Sequence, residues 1–525
     1  MLHFRGTAFV PTDLLAIRTA VDVMGRYTLD LSDDMVFGIV VWAAILLLSL
    51  SLTGKRCEKR KVLPSIILRL VCAAIAVAIA VWFCNCDPIQ SMGYGFSIKF
   101  NAQYYNYWTY GTPAAFFENL KHCVYKEPEG YDAESLLKWE ETYTSTDGSN
   151  ELQPNIIVVM NESFCDYSMW GNEFGLSGED SAPYFASLCQ TLPHGKLLVS
   201  TTGGGTCNTE FEAITSNSLY FMPANSYPYQ QYVRDNITSV IKYANELGYT
   251  TVGMHPAVGT NWNRSVVYPM LGFDETVFID GFPDDVELCR NLVSDHADYE
   301  RLLRLIDDEE EPLFVYNVTI QNHSSYIEGA DEQLVELSNK DEFPLANNYV
   351  NLIRISDREL EYLLDELEQI EEPTVVLFFG DHQAGAIESE FEDLAFGFDS
   401  DNPQNAYELQ QQYIVHFFMW SNCYDWKNED YGVVSANYLL PLLFDRLQLP
   451  LSGYYQYLLE LREKIVALNC CGIITESGDY YLEADEIPDE YRALLKQYEM
   501  VQYQSLFDSD ENNSFFNVVT AKETE

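Results

Sequence analysis

Basic residues are scarce in this sequence. Lysine and arginine together number 30, against 80 aspartates and glutamates, and the formal net charge is −50. So little positive charge argues against nucleic acid as a partner, because few side chains are available to neutralise phosphates. The surplus of acid is typical of a solvated, exposed domain.

Cysteine patterns of a disulfide scaffold or a zinc module are also lacking. The twelve cysteines include no CxxC pair and no zinc-finger spacing. Cys84 and Cys86, and the adjacent Cys470 and Cys471, are too close in sequence to bridge within each pair without strain. The rest of the composition is that of a globular protein, with 47% hydrophobic and 14% aromatic residues. The 525 residues suffice for one large or two medium domains.

Two long apolar stretches lie near the N-terminus. Residues 35–52 contain no charged side chain, and residues 62–84 contain only Arg69, which lies close enough to the proposed cytoplasmic end to snorkel. Each stretch is long enough for a spanning helix. The loop at 53–61 has five basic residues in nine, which makes it cytoplasmic by the positive-inside rule. We therefore expect a membrane hairpin within residues 1–84, with the rest of the chain extracellular or periplasmic. The alternative is a helical hairpin buried in a soluble domain.

The segments around the hairpin carry weaker signals. Residues 1–31 mix polar and apolar side chains and lack the pattern of a signal peptide. An N-terminus outside the membrane needs an upstream segment to deliver it, so we expect further spans to be missing from this chain, or its start to be assigned late. Residues 85–150 are polar and aromatic, and we interpret them as a juxtamembrane connector. Residues 451–525 are acidic and helical in pattern, without a motif, and we expect them to pack on the domain before them.

From residue 151 onward, apolar runs of strand length alternate with helical patterns. This alternation predicts an α/β domain over residues 151–450 with a mostly parallel central sheet flanked by helices. Ligands in open α/β sheets bind outside the carboxyl ends of the strands. Five runs end in polar residues. Each of these residues could be purely structural. However, three of only eight histidines come just after such runs, which favours a shared site. The five runs, at 155–160, 196–201, 250–254, 313–320 and 374–379, lead to Glu162, Thr206, His255, His323, and Asp381 with His382.

The turn after the second run is the strongest local signal. Residues 203–212 have the sequence Gly-Gly-Gly-Thr-Cys-Asn-Thr-Glu-Phe-Glu. Three glycines allow a tight turn and a close approach of the backbone to a ligand. The helical pattern that follows would aim free N–H groups and the positive end of the helix dipole at one spot. Thr206 stands at that spot, so we interpret it as a nucleophile facing a phosphoryl group.

A threonine nucleophile needs activation, because its free hydroxyl is unreactive. Glu162, Asp381 and His382 supply oxygen and nitrogen ligands for a divalent cation. Such a cation would lower the pKa of the Thr206 hydroxyl and polarise a phosphoryl oxygen.

The remaining polar residues suit a phosphorylated substrate. Arg264 can make bidentate contacts to phosphate. His255 and His323 can hold phosphate oxygens or protonate a leaving group. Trp262 offers a flat wall for a small polyol, with ordinary packing as the equal alternative.

At these residues the sequence resembles the lipoteichoic acid synthase family, within the alkaline phosphatase and sulfatase superfamily. The resemblance covers almost the whole chain, and its motifs are specific as an ordered set. The matching segments are Arg5–Thr7, Pro11–Leu14, Glu127–Tyr131, Met160–Phe164, Gly205–Phe211, His255, Trp262–Arg264, Asn322–His323 and Gly380–His382.

The resemblance implies a sulfatase-like fold and one bound metal ion, usually manganese, with magnesium or zinc as alternatives. The implied metal ligands are Glu162, Thr206, Asp381 and His382. The implied glycerol-phosphate contacts are His255, Trp262, Arg264 and His323. Family members have five spanning helices before the enzyme, and the two predicted here match the last two.

The resemblance also implies a two-step reaction at the surface of a bacterial cell membrane. Thr206 attacks the phosphate of phosphatidylglycerol and releases diacylglycerol, which leaves a glycerol-phosphate ester on the threonine. An acceptor hydroxyl then takes the glycerol phosphate. The acceptor is left open between a glycolipid, a growing polyglycerol-phosphate chain and a glucan.

Three alternatives remain. A sulfatase would carry a C-x-P-x-R signature, which is absent, because Cys207 is followed by Asn-Thr-Glu-Phe. A phosphoethanolamine transferase or phosphodiesterase of the same superfamily is a closer rival, although Trp262 and Arg264 favour glycerol phosphate. A non-catalytic, membrane-anchored binding protein would be expected to have lost a metal ligand or the nucleophile. The residues predicted for these roles are all present: Glu162, Thr206, Asp381 and His382.

Overall fold

The computed structural model describes residues 10–14, 67, 70–71, 74–75, 78, 103–121, 123, 125–133, 139, 142–150, 152–176, 180–309, 311–508 and 515–517. The predicted span at 35–52 lies outside these residues. Of the predicted span at 62–84, only six residues are described, all helical and exposed. No helix within the described ranges is long and apolar enough to cross a membrane. The membrane hairpin therefore stays a prediction.

An eight-stranded sheet forms the centre of the molecule, in the order β10-β2-β9-β8-β1-β7-β3-β4. All its neighbouring pairs are parallel except the two that involve β9, which runs antiparallel to β2 and β8. The predicted mostly parallel α/β sheet is thus confirmed. The strands are β1 Asn155–Asn161, β2 Pro193–Leu198, β3 Thr250–Met254, β4 Glu275–Val277, β7 Leu313–Val318, β8 Thr374–Gly380, β9 Ile414–Ser421 and β10 Glu429–Ser435, with a separate pair β5 Leu288–Cys289 and β6 Leu292–Val293.

Helices cover the sheet, because its central strands are apolar on both faces. All seven residues of β1 and all seven of β8 are buried, as expected for parallel strands covered on both sides. The α-helices are α1 Gln103–Tyr110, α2 Thr112–Leu120, α3 Pro183–Cys189, α4 Thr206–Thr215, α5 Pro228–Gln231, α6 Val240–Glu246, α7 Arg264–Leu271, α8 Asp295–Asp308, α9 Pro344–Gln369, α10 Ser389–Phe396, α11 Ala406–Gln411, α12 Ala436–Arg446, α13 Gly453–Arg462 and α14 Asp489–Tyr503. A π-helical turn, Gln504–Asp508, follows α14.

The C-terminal segment after residue 450 contains more than the helices expected from its pattern. Between α13 and α14 it forms a three-stranded antiparallel sheet of β11 Ile465–Leu468, β12 Ile473–Thr475 and β13 Tyr480–Tyr481. These strands are only two to four residues long, too short for a clear alternation of apolar and polar residues in the sequence.

Candidate active site

The register of the parallel sheet brings the predicted strand ends to one edge. Asn161 at the end of β1 pairs with Gly380 at the end of β8, so Glu162 and Asp381 leave the sheet side by side. A side chain at position 380 would collide with the carbonyl oxygen of Phe164, so this close approach requires glycine. Two predicted metal ligands are therefore neighbours because of strand pairing alone.

Glu162, Asp381 and His382 form a buried cluster whose ligand atoms all lie within 4.8 Å of one another. His382 Nε2 lies 3.1 Å from Asp381 Oδ2 and 3.9 Å from Glu162 Oε1. Asp381 Oδ2 and His382 Nε2 are buried without a hydrogen-bond partner among the described residues. Buried polar atoms normally have a partner, so this donor set fits a divalent cation.

Neighbouring groups orient these ligand atoms. His382 Nδ1 lies 2.8 Å from the carbonyl oxygen of Gln383, so it carries the proton and leaves the Nε2 lone pair facing the cluster. Asp381 Oδ1 accepts backbone hydrogen bonds from Ser163 at 2.6 Å and His382 at 2.8 Å, which leaves Oδ2 for the cluster. Burial, and then the Asp381 charge, raise the pKa of Glu162, and burial raises the pKa of Asp381. A bound cation would relieve both costs.

Thr206 joins this cluster as the first residue of α4. Its Oγ1 lies 3.4 Å from Glu162 Oε2, and the side chain is buried. The preceding Gly205 has a φ of 92°, in the left-handed region that favours glycine, and this turn places Thr206 at the helix start. The four residues predicted as the metal site therefore lie together.

Arg264 meets a partner that the sequence argument did not include. Its guanidinium is buried and pairs with the carboxylate of Glu210, with Nη2 2.7 Å and Nε 3.1 Å from Oε2. Burial lowers the pKa of Arg264, but the Glu210 carboxylate outweighs it and the net shift is upward. A bidentate phosphate contact through Nε and Nη2 would have to break this pair, so any phosphate contact falls to the other edge of the guanidinium.

Glu210 is the residue that sequence reasoning missed. Its carboxylate also accepts hydrogen bonds from the hydroxyls of Tyr268 at 2.6 Å and Tyr229 at 3.3 Å. It lies four residues after Thr206, and residues at that spacing share a helix face. This spacing was visible in the sequence, but nothing there identified Arg264 as the partner.

His255 lies within electrostatic range of Arg264 and of His323, the other histidine predicted at this site. His255 is buried, and its Nδ1 lies 2.8 Å from the carbonyl oxygen of Val318. Burial, followed by the positive charge of Arg264 and then His323, lowers the pKa of His255 well below its usual value. His255 is thus a neutral imidazole at physiological pH, suited to hydrogen bonding. His323 is half-buried, and Arg290 donates a hydrogen bond to its carbonyl oxygen at 3.0 Å.

Trp262 precedes Arg264 by two residues and is half-buried. Its ring stacks on Tyr227, with centroids 5.2 Å apart and an interplanar angle of 24°. The residue has a φ of 51°, an uncommon value for a bulky side chain. The tryptophan thus packs on a second aromatic ring and presents part of its surface to solvent.

Two known proteins are similar to this chain over most of its length. The chain is 25% identical over 418 residues to a Rhizobium meliloti protein provisionally assigned to cyclic beta-1,2-glucan modification, covering 77% of this chain and 62% of that protein. It is 23% identical over 375 residues to the lipoteichoic acid synthase of Staphylococcus saprophyticus, covering 66% of this chain and 55% of that protein. The chain thus spans somewhat more than half the length of these two relatives.

The fold and the family follow from two further matches. The Streptococcus pyogenes phosphoglycerol transferase GacH, solved in complex with sn-glycerol-1-phosphate, superposes with a TM-score of 0.57 at 22% identity, covering 75% of this chain and 100% of that chain. The Sulfatase family model matches residues 154–449, more than half of the chain. The chain therefore belongs to the sulfatase family, and lipoteichoic acid synthases are among the proteins to which it is similar.

Proposed function

We propose that this protein is a membrane-anchored phosphoglycerol transferase, which moves glycerol phosphate from phosphatidylglycerol to an extracellular acceptor. The convergence of Thr206 with the cation-binding cluster carries this proposal. A hydroxyl 3.4 Å from a metal-ligating carboxylate, at the start of a buried helix, is placed to act as a metal-activated nucleophile.

The residues of the site divide the first step between them. A divalent cation, manganese by analogy, would be held by Glu162, Asp381, His382 and Thr206, and it supplies activation of the hydroxyl and polarisation of a phosphoryl oxygen. Thr206 Oγ gives up its proton to solvent and forms a bond to phosphorus while the bond from phosphorus to the diacylglycerol oxygen breaks. That leaving oxygen takes up a proton, and half-buried His323 is the residue we assign to deliver it.

The second step reverses the roles of nucleophile and leaving group. An acceptor hydroxyl attacks the phosphorus, the bond from phosphorus to Thr206 Oγ breaks, and the acceptor proton returns to the threonine. Neutral His255 and the guanidinium edge of Arg264 opposite Glu210 hold the phosphate oxygens, and Trp262 borders the glycerol moiety.

The relatives support the transferred group and leave the acceptor open. GacH is described as a phosphoglycerol transferase in complex with sn-glycerol-1-phosphate, and the Staphylococcus relative is named a lipoteichoic acid synthase. The Rhizobium relative points to a glucan acceptor. Glycolipid, polyglycerol-phosphate chain and glucan therefore all stay in the proposal, and the two apolar stretches near the N-terminus support the membrane anchor.

The test places the full-length protein in vesicles that contain labelled phosphatidylglycerol and manganese. We expect diacylglycerol release that stops on chelation of the metal and falls by about a thousandfold or more in Thr206→Ala, because the nucleophile is removed. Thr191→Ala, at an exposed helix end, is the matched control and should release diacylglycerol normally. Release that persists in Thr206→Ala contradicts the mechanism, and release from labelled phosphatidylethanolamine instead would favour the phosphoethanolamine alternative.

A further inference from the structure

A surface cavity of about 330 Å³ lies between the connector and the C-terminal segment. Its walls come from Trp139, Thr142 and Tyr143, from α13 with the turn that follows it, and from α14. None of its lining residues belongs to the candidate active site. The proposed transfer reaction assigns this cavity no role.

One wall of the cavity is a corner of three aromatic rings. The ring centroids of Trp139 and Tyr457 are 4.8 Å apart at an interplanar angle of 66°, and Tyr143 lies 5.8 Å from Tyr457. Such edge-to-face contacts hold rings in fixed positions. Trp139 and Tyr143 are half-buried, so each keeps part of its surface open. The wall is therefore an apolar surface whose rings are already packed together, which reduces the entropy lost on binding.

Leu461 and Leu494 extend the apolar lining, and the other lining residues are polar. Glu460, Glu463 and Gln497 line the cavity, and Glu460 Oε2 accepts a hydrogen bond from the Tyr143 hydroxyl at 2.8 Å. Carboxylates and amides accept hydrogen bonds from hydroxyl groups, and the amide also donates. An aromatic surface facing such groups matches a sugar ring, which has an apolar C–H face and a rim of hydroxyls.

The charge and the volume of the cavity restrict the class of ligand further. Lys464 also lines the cavity, but its Nζ lies 3.1 Å from Glu476 Oε1, which offsets its charge. Two carboxylates then dominate, and they would repel a phosphate. The volume lies at the low end of the range for ligand sites, about 300–1,000 Å³. We propose that this cavity binds an uncharged glycan of one or two hexose units, at a site separate from Thr206.

The test titrates the full-length protein in detergent with maltose, sophorose and cellobiose, and detects binding by saturation-transfer NMR and calorimetry. We expect saturable binding of at least one disaccharide, and about tenfold weaker binding in Trp139→Ala, because one aromatic contact is lost. Trp108→Ala is the matched control, since Trp108 is 80% exposed and lies on α1. Glu463→Ala changes an exposed side chain, so it should weaken binding without disturbing the fold.

Three outcomes overturn the inference: no saturable binding of any of the three disaccharides, unchanged affinity in both cavity variants, or displacement of the sugar by sn-glycerol-1-phosphate. The inference does not rest on the proposed reaction. Thr206→Ala should bind the sugar like the wild type, and Trp139→Ala should release diacylglycerol normally. Failure of either proposal is therefore visible separately.

Discussion

The carboxylate of Glu210 accepts hydrogen bonds from Arg264, Tyr268 and Tyr229, and its helix begins at Thr206. Glu210 thereby ties the arginine to the helix that carries Thr206, the proposed nucleophile. Both members of the ion pair are almost fully buried. Removing one member of such a pair leaves a buried charge without compensation, which costs about 3–5 kcal/mol. Glu210 is therefore a positioning residue for Arg264.

Glu210→Gln tests this role. We expect the free energy of unfolding to fall by about 3 kcal/mol, and diacylglycerol release to fall by about a hundredfold, because a displaced Arg264 loses its alignment with the phosphate. Denaturant unfolding and separate determination of kcat and KM measure both effects. Glu300→Gln removes an exposed pair with Arg304 and should change stability by at most about 0.5 kcal/mol. Wild-type kinetics in Glu210→Gln would rule out the positioning role.

A second buried acid on the same helix makes stability depend on pH. Burial raises the pKa of Glu212 from 4.5 to about 7, although Ser200, Ser218 and the backbone of Leu219 donate hydrogen bonds to it. Between these two pKa values the folded protein keeps the proton and the unfolded chain releases it. The contribution of Glu212 to stability is therefore fully present below pH 4.5 and is lost as the pH rises through about 7.

Glu212→Gln removes this titration. Relative to the wild type, we expect the variant to gain about 3 kcal/mol of stability between about pH 4.5 and about pH 8, because each pKa unit corresponds to about 1.4 kcal/mol. Denaturant unfolding of both proteins at several pH values measures the difference. Glu300→Gln serves as the control and should follow the wild-type profile. A Glu212→Gln profile parallel to that of the wild type would contradict the assignment.

At the scale of elements, the turn before α4 contacts the loop after β8 through backbone atoms alone. Gly203 donates a backbone hydrogen bond to Gln383 at 3.1 Å. A Cβ on residue 385 would lie 2.6 Å from Cα of Gly203, closer than real side chains approach. The contact joins the turn that leads to Thr206 with the loop that follows His382. It therefore sets the position of the proposed nucleophile relative to the proposed metal ligands.

Gly385→Ala should push these two loops apart. We expect a loss of about 1–3 kcal/mol in unfolding free energy and a large loss of metal-dependent diacylglycerol release. Gly478→Ala is the comparison, because its φ of +80° carries a similar cost of about 1 kcal/mol but no atom lies within 4 Å of the new Cβ. Diacylglycerol release distinguishes the two variants, because it should fall in Gly385→Ala and not in Gly478→Ala. Equal activity in both would show that the loop contact does not set the site.

At the scale of the whole molecule, the sequence was sufficient to predict which residues lie at the edge of the sheet. It was insufficient to predict which side chains those residues contact. Continuous apolar runs mark buried parallel strands, so the sequence alone places the residues after β1 and β8 at one edge. Strand direction leaves no comparable mark in composition, so the antiparallel course of β9 is visible only in the strand pairing. The second strand also ends at Leu198, whereas the predicted run extended to residue 201 and included the polar Ser200 and Thr201. Periodicity shows which helix face a residue such as Glu210 lies on. It does not show which side chain, distant in sequence, that residue contacts.

The C-terminal segment contacts the chain on both sides of α4, the helix that begins at the proposed nucleophile Thr206. At the far end of α4, the hydroxyls of Tyr454 and Tyr498 each donate to the carbonyl oxygen of Ser216 at 2.7 Å. Before the glycine turn, Asn469 donates to the carbonyl oxygen of Val199 at 3.0 Å. Residues after 450 therefore contact the predicted catalytic domain at 151–450, and these contacts stabilise the position of α4, which carries Thr206.

A chain that ends at residue 450 should consequently lose more than a binding surface. The truncation exposes the apolar side chains packed beneath α13 and α14 and leaves buried carbonyl groups near α4 without donors, at about 1–3 kcal/mol for each group. We expect a markedly lower unfolding temperature, aggregation, and no diacylglycerol release even when manganese is present. A chain that ends at residue 517 retains every described contact of the segment and is the matched control. If the chain that ends at 450 folded and released diacylglycerol like the control, the C-terminal segment would be an independent unit. Its only role would then be the glycan binding proposed for the surface cavity.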